Sequence, residues 1–208
     1  MALEITDATF DDIVLQSEKP VLVDFDETLN MCPKDLTKKI TKKSKVIMPV
    51  HMLGVAADMK EINKIAKKNK LLVIDDNCEA LGSKWNNKQM LGIQSDMCTW
   101  SFDNGKTITT GEGGMITSNN FEFIKLCREY MDHGHENNPK LPRGKDSRSI
   151  FGFNYRMTEI QAAIGKVQIK KLNYIIRDNK KKYLRLKKNL NNYYEIREIP
   201  LFSSPAYD

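Results

Sequence analysis

Long apolar runs are missing from this chain of 208 residues. None approaches the roughly 20 residues that cross a bilayer, so no membrane-spanning helix is expected. The acidic start, MALEITDATFDD, has no charged-then-apolar secretory pattern, and the cytoplasm is the expected compartment. Cysteine is sparse: Cys32, Cys78, Cys98 and Cys127, with no C-x-x-C pair. That spacing argues against a zinc site and against a redox dithiol, and it suits free thiols in a reducing compartment. Histidine is sparser still, at three residues. His133 and His135 form an H-x-H with no third ligand in view, so a loop or substrate contact is expected there and no metal. His51 reads as a satisfied histidine at a strand end.

Acidic residues are outnumbered 27 to 33 by Lys and Arg, a formal net charge of +6. Such an excess raises the question of nucleic acid. Much of it lies in residues 170–190, KKLNYIIRDNKKKYLRLKKNL, where Leu172, Ile175, Ile176, Tyr183, Leu186 and Leu190 recur near helical spacing. An amphipathic helix with a solvated basic face accounts for the pattern, and no recognisable nucleic-acid motif accompanies it. No nucleic-acid partner is expected.

What is present is an alternation of apolar runs and helical segments. Residues 21–24 (VLVD), 45–51 (KVIMPVH), 70–76 (KLLVIDD), 96–102 (DMCTWSF) and 113–118 (GGMITS) read as strands. Asp58 is placed to cap a helix over DMKEINKIAKKNK, with Glu61 as its capping-box partner and Met59, Ile62, Ile65 and Ala66 as its apolar face. A second helix spans residues 121–131 and ends near Gly134. A third begins at Thr158, with Gln161 three residues on. Near-continuous apolar strands alternating with helices predict an α/β fold: a mixed, mostly parallel sheet flanked by helices.

In such sheets ligands bind beyond the carboxyl ends of the strands. Asp75 and Asp76 close the third strand, Ser101 closes the fourth, and Lys106 follows in SFDNGKTITTGEGG. A lone loop lysine is ordinarily a surface residue. A desolvated lysine beside a carboxylate, a hydroxyl and a glycine turn is instead equipped to attack a carbonyl carbon. Pyridoxal phosphate asks for a Schiff-base lysine, an acid for its ring nitrogen and donors for its phosphate.

The ordered segments VIMPVHMLGVAADM, VIDDNCEALGS, SFDNGKTITTGEGG, HG and GFNYRMTEIQAAIG resemble the successive motifs of the DegT-type (DegT/DnrJ/StrS) sugar aminotransferases. The resemblance covers roughly residues 21–190, the central portion of the family. It implies the large domain of a pyridoxal-phosphate transferase of the aspartate-aminotransferase type (fold type I), incomplete in this chain. It also implies that Lys106 forms the Schiff base with the cofactor and acts as general base, and that Asp76 faces the pyridine nitrogen. Glu79 stands near the ring oxygen, where the family usually has glutamine. Ser101 resembles the phosphate-binding serine, and Asn154 the asparagine that reaches the phosphate of a neighbouring subunit, so a homodimer is expected.

A dehydratase branch of the family has histidine at the lysine position; Lys106 therefore favours transamination, with glutamate as amino donor and a keto sugar as acceptor, in amino-sugar and surface-polysaccharide (lipopolysaccharide) biosynthesis. The polar loop DHGHENNPKLPRG resembles the branch that makes 8-amino-3,8-dideoxy-octulosonate.

Residues 1–25 resemble the start of a thioredoxin without its redox pair. The expected organisation is a thioredoxin-like segment at 1–20, a partial aminotransferase domain at 21–190, and the start of a truncated C-terminal domain at 191–208. The Gly-Thr phosphate turn and the ring-stacking aromatic of complete family members are not visible. A second reading therefore stands beside the enzyme: a non-catalytic remnant or fusion that at most binds the cofactor or a full-length relative.

Overall fold

The computed structural model describes residues 21–142 and 144–207. The expected thioredoxin-like segment at 1–20 lies outside the described residues. The main sheet has four strands: β1 (Val46–Ile47), β2 (Leu72–Asp76), β5 (Met97–Ser101) and β6 (Gly114–Thr117), in the order β1-β2-β5-β6. The first two pairings are parallel and the last is antiparallel. A second sheet orders β4 (Gln89–Met90), β3 (Lys84–Trp85) and β7 (Ser203–Ser204), all antiparallel. The fold is thus the expected α/β class with a mostly parallel main sheet.

Between β1 and β2 runs α2 (Met59–Asn69). The Asp58 carboxylate accepts the Glu61 N–H at 3.2 Å and satisfies one orphan donor of the first turn. Met59, Ile62 and Ala66 are buried on the face that meets the sheet, and Lys70 ends the helix in the left-handed region. This face joins Leu36 of α1 (Pro33–Lys39), Ile47 and Val73 in one apolar cluster. Burying a side chain of the size of Ile62 contributes about 1.5–3 kcal/mol. A separate cluster of Phe102, Ile108 and Leu172 anchors α5 (Leu172–Leu190) beneath the loop that follows β5.

Three expectations need correction. Residues 21–24 form no strand; the segment instead leads into a bridge between Phe25 and Met31, and the Asp24 N–H is taken by the Asp35 carboxylate at 2.9 Å. The strand expected over 45–51 shrinks to two residues, since Pro49 has no N–H to give; Val50 makes one further parallel bridge with Asp76. Leu186 and Leu190 are 58% and 39% exposed, so only the first half of α5 buries its apolar face.

Two more helices frame the remaining loops. In α3 (Phe121–Met131) the last turn is closed by the Gly134 N–H on the Glu129 carbonyl at 2.7 Å, with His133 (φ 58°) in the left-handed position between them. The start of α4 (Glu159–Gln168) is the full reciprocal capping box expected of Thr158 and Gln161. Gly134 itself has φ 79°, and a Cβ there would stand 1.8 Å from the Ile150 carbonyl oxygen. Gly144 has φ 87° but open space around it.

Gly134→Ala is therefore expected to cost about 3 kcal/mol or more, through backbone collision as well as strain. Gly144→Ala should cost only the strain, about 1–2 kcal/mol. Urea unfolding midpoints of the two variants measure the difference.

Candidate active site

The register of β2 on β5 sets the site. Asp76 lies opposite Thr99 and Asp75 opposite Cys98 in a parallel pairing. Successive side chains alternate between faces, so Asp76, Thr99 and Ser101 share one face while Asp75 and Cys98 share the other. The two adjacent carboxylates accordingly meet different fates.

Asp75 is fully buried. Its Oδ2 lies 3.5 Å from Nε2 of His51, which is equally buried. Nδ1 of His51 accepts the Ala57 N–H at 3.0 Å, so the ring proton of the neutral imidazole sits on Nε2 and faces the carboxylate. The satisfied strand-end histidine expected from the sequence is satisfied only at Nδ1: Nε2 and both Asp75 oxygens are buried without a hydrogen-bond partner. On the same face Asn77 donates to the Cys98 sulfur at 2.8 Å.

Asp76 occupies the accessible face. Its Oδ1 accepts the Cys78 N–H at 3.0 Å and the Thr99 hydroxyl at 3.4 Å. The Cys78 thiol lies 3.9 Å from the Thr99 hydroxyl. It feels the negative charge of Asp76 and the positive charge of Lys106. Burial, then the hydrogen bond and negative charge of Asp76, push the Cys78 thiol up to about 11. Burial, with Asp75 as second cause, raises Cys98 to about 12.

Lys106 sits in a stapled turn. Asp103 takes the Gly105 N–H on its carboxylate at 2.7 Å and the Lys106 N–H on its carbonyl at 3.3 Å. Buried Phe102 holds both ends of the loop, donating its N–H to the Gly113 carbonyl and accepting the Thr110 N–H. The Ser101 hydroxyl accepts the Asp103 N–H at 3.4 Å. Next to the lysine, the Thr107 hydroxyl oxygen is buried with no hydrogen-bond partner.

Glu79 is turned to the loop after β1, where its Oε2 accepts the N–H of Leu53 at 2.9 Å. Asn154 stands apart from Lys106 within the chain: its segment pairs with Asp132, and its side chain accepts from Arg156. Strand alternation was the signal for Thr99 and for Cys78, each two residues from a residue already singled out; Thr107 and Arg156 carry no such signal. His135 has Nδ1 against Asp146 at 2.9 Å and Nε2 facing Arg148 at 3.5 Å, which makes it a loop contact. Among the described residues no group of three or more His, Cys, Asp or Glu is placed to hold a metal ion, and no helix is long and apolar enough to cross a membrane.

The donor set suits pyridoxal phosphate. It offers a carboxylate at the end of β2 for a ring N–H and a primary amine in the turn after the neighbouring strand β5. The hydroxyls of Ser101 and Thr107 stand on either side of that lysine in the sequence, the latter buried without a partner.

This strand-end arrangement is that of a vitamin-B6-type transferase fold, and comparison with known proteins agrees. The chain belongs to the DegT/DnrJ/EryC1/StrS aminotransferase family, whose model matches residues 7–205. It is 38% identical over 178 residues to a GDP-perosamine synthase of Escherichia coli O157:H7, covering 85% of this chain and 47% of that protein. A GDP-perosamine synthase of Caulobacter vibrioides is 43% identical over 154 residues, 74% of this chain and 40% of that one. Among solved structures, an aminotransferase from Psychrobacter cryohalolentis superposes with a TM-score of 0.80 at 30% identity, over 96% of this chain and 55% of that one. The chain thus spans less than half the length of these curated relatives. The family match begins inside the segment whose start resembles a thioredoxin.

The raised thiols carry a pH consequence. In the unfolded chain a cysteine ionises near its ordinary 9.0, whereas folded Cys78 holds its proton to about 11. The folded state therefore binds more protons between these values, and stability, full below the lower one, falls as pH rises through the window. Cys78→Ala is expected to flatten that fall in denaturation midpoints taken across it. At pH 8 Cys78 and Cys98 should resist iodoacetamide, as followed by peptide mass spectrometry.

Proposed function

We propose that this chain contributes the catalytic core of a pyridoxal-phosphate-dependent aminotransferase that moves the amino group of glutamate onto a keto sugar. The observation that carries the reading is the Asp76 carboxylate on the accessible face at the end of β2, with the stapled Lys106 turn following the adjacent strand β5. When bound, pyridoxal phosphate supplies an aldehyde that condenses with amines and a protonated ring that draws electrons from the adjoining carbon.

The chain's own groups supply the rest. The Asp76 carboxylate, held by Cys78 and Thr99, accepts a ring N–H and keeps the proton on that nitrogen. The Lys106 Nζ would supply the amine that holds the cofactor's aldehyde and, as a neutral amine, would act as general base toward the Cα proton of glutamate. Ser101 and Thr107 offer hydroxyl donors to a phosphate. Glu79, held by Leu53, anchors the loop after β1 beside this face.

Substrate choice follows the relatives. Two matched proteins are named for GDP-perosamine, a nucleotide-linked amino sugar, and another for lipopolysaccharide biosynthesis. A nucleotide-linked keto sugar is the acceptor this supports; an octulosonate-type acceptor rests only on the loop that contains His133 and His135. Lysine in place of histidine at position 106 favours amino transfer over dehydration.

A homodimer is part of the proposal. Asn154 lies among exposed aromatic side chains, Phe151 (77%), Phe153 (42%) and Tyr155 (65%), and the neighbouring helix α4 exposes Ile160 (76%). An apolar face of this kind suits a second copy, which brings Asn154 to the other subunit's phosphate. The alternative reading is a non-catalytic remnant that at most binds the cofactor or a full-length relative.

The purified chain, incubated with pyridoxal phosphate and reduced with borohydride, is expected to carry a pyridoxyl label on Lys106. With glutamate and GDP-linked keto sugars it should release 2-oxoglutarate, and Lys106→Ala should lower turnover at least about 100-fold. A wild-type chain that takes the label but forms no 2-oxoglutarate is the remnant. A chain that takes no label refutes the cofactor reading.

A further inference from the structure

We infer that Arg156 is a positioning residue that fixes the side-chain amide of Asn154, so that its two N–H donors are presented outward to a phosphate monoester. The inference rests on the reading that Asn154 meets the cofactor phosphate, and it adds what makes that asparagine competent.

The geometry begins with Asp132, which is 7% exposed at the end of α3. Its Oδ1 accepts from Nη1 of Arg156 at 2.8 Å, and Nδ1 of His133 stands 3.6 Å from the same oxygen. The ion pair fixes the plane of the guanidinium. From that plane Nε donates to the Asn154 side chain at 3.1 Å. A guanidinium has donors only, so the atom it meets must be the amide oxygen. The NH2 branch of Asn154 then necessarily lies away from Arg156.

The backbone around this trio is held independently. The His133 N–H donates to the Phe153 carbonyl at 2.9 Å, the Phe153 N–H to the Tyr130 carbonyl at 2.8 Å and the Tyr155 N–H to the Met131 carbonyl at 2.9 Å. Gly152 permits this approach, since a Cβ there would lie 2.5 Å from the Tyr130 carbonyl oxygen. Arg156 is therefore not needed to hold the segment in place. What it supplies is a choice between two amide orientations. One turns N–H donors outward, where Asn154 is exposed; the flipped one turns a carbonyl oxygen outward and repels an anion.

The discriminating ligand pair is pyridoxal phosphate and pyridoxal, which differ only in the phosphate. The wild-type chain, Asn154→Ala, Arg156→Ala and the double variant are titrated with each, following absorbance. Asn154→Ala and Arg156→Ala are each expected to weaken pyridoxal phosphate about 10- to 100-fold, the range of a hydrogen bond to a charged group, with little change for pyridoxal. The double variant should be no weaker than Asn154→Ala, because the two residues act as one unit. Arg156→Lys should not rescue, since one ammonium cannot hold the carboxylate and the amide in a fixed fork. Asp132→Asn, which loosens Arg156 while leaving both donors in place, gives the same phosphate-selective direction if Arg156→Ala fails to fold.

If Asn154→Ala weakens pyridoxal phosphate while Arg156→Ala does not, or if the two effects add, the positioning role is overturned and the reading of Asn154 stands. Equal weakening of both ligands by Arg156→Ala also overturns it, as the mark of a merely structural residue. An unchanged affinity in Asn154→Ala overturns the phosphate reading of Asn154 and this inference together.

Discussion

The parallel register of β2 on β5 is the constraint on which the rest of the site depends. Pairing Asp76 with Thr99 places a carboxylate and a hydroxyl on one face, and the same step places Asp75 and Cys98 on the other. A slip of one residue would exchange the two sets. Asp75, sealed in with His51, and Asp76, on the accessible face, are chemically identical side chains one residue apart. Their difference is entirely one of face. The buried pair ties the loop after β1 to the end of β2, through the Ala57 N–H on one imidazole nitrogen and the carboxylate near the other.

The remaining parts of the site are added by loops whose ends are pinned. Phe102 closes the lysine turn from below and packs on Leu172, so α5 supports the turn through its apolar first half. At the far side, Gly134 and Gly152 let two backbones meet closer than any side chain permits, and this close approach presents Asn154. Among the described residues no side-chain bond links Asn154 to Lys106.

Much of this was legible in the sequence, for identifiable reasons. Caps at Asp58 and Thr158 depend only on neighbours three residues away, and both form. The lysine turn and the paired aspartates are local too, and their motifs point to the family that the comparison supports. The misread segments fail where a distant partner decides. Residues 21–24 have strand composition but find no neighbouring strand among the described residues. Leu186 and Leu190 have helical spacing but remain exposed. Thr99 and Cys78 gain their place only because β2 and β5 are adjacent, and Arg156 gains its own because α3 delivers Asp132 to it.

By itself the sequence determined the α/β class, the caps, the carboxylate at the end of β2 and the lysine that follows β5, since each depends on composition or on spacing within a few residues. The tertiary structure alone decided which aspartate is buried, that Glu79 serves Leu53, and that Asp132 holds the Arg156 that meets Asn154. Those outcomes depend on strand register and on groups more than twenty residues apart being brought within hydrogen-bond distance, which no local pattern encodes.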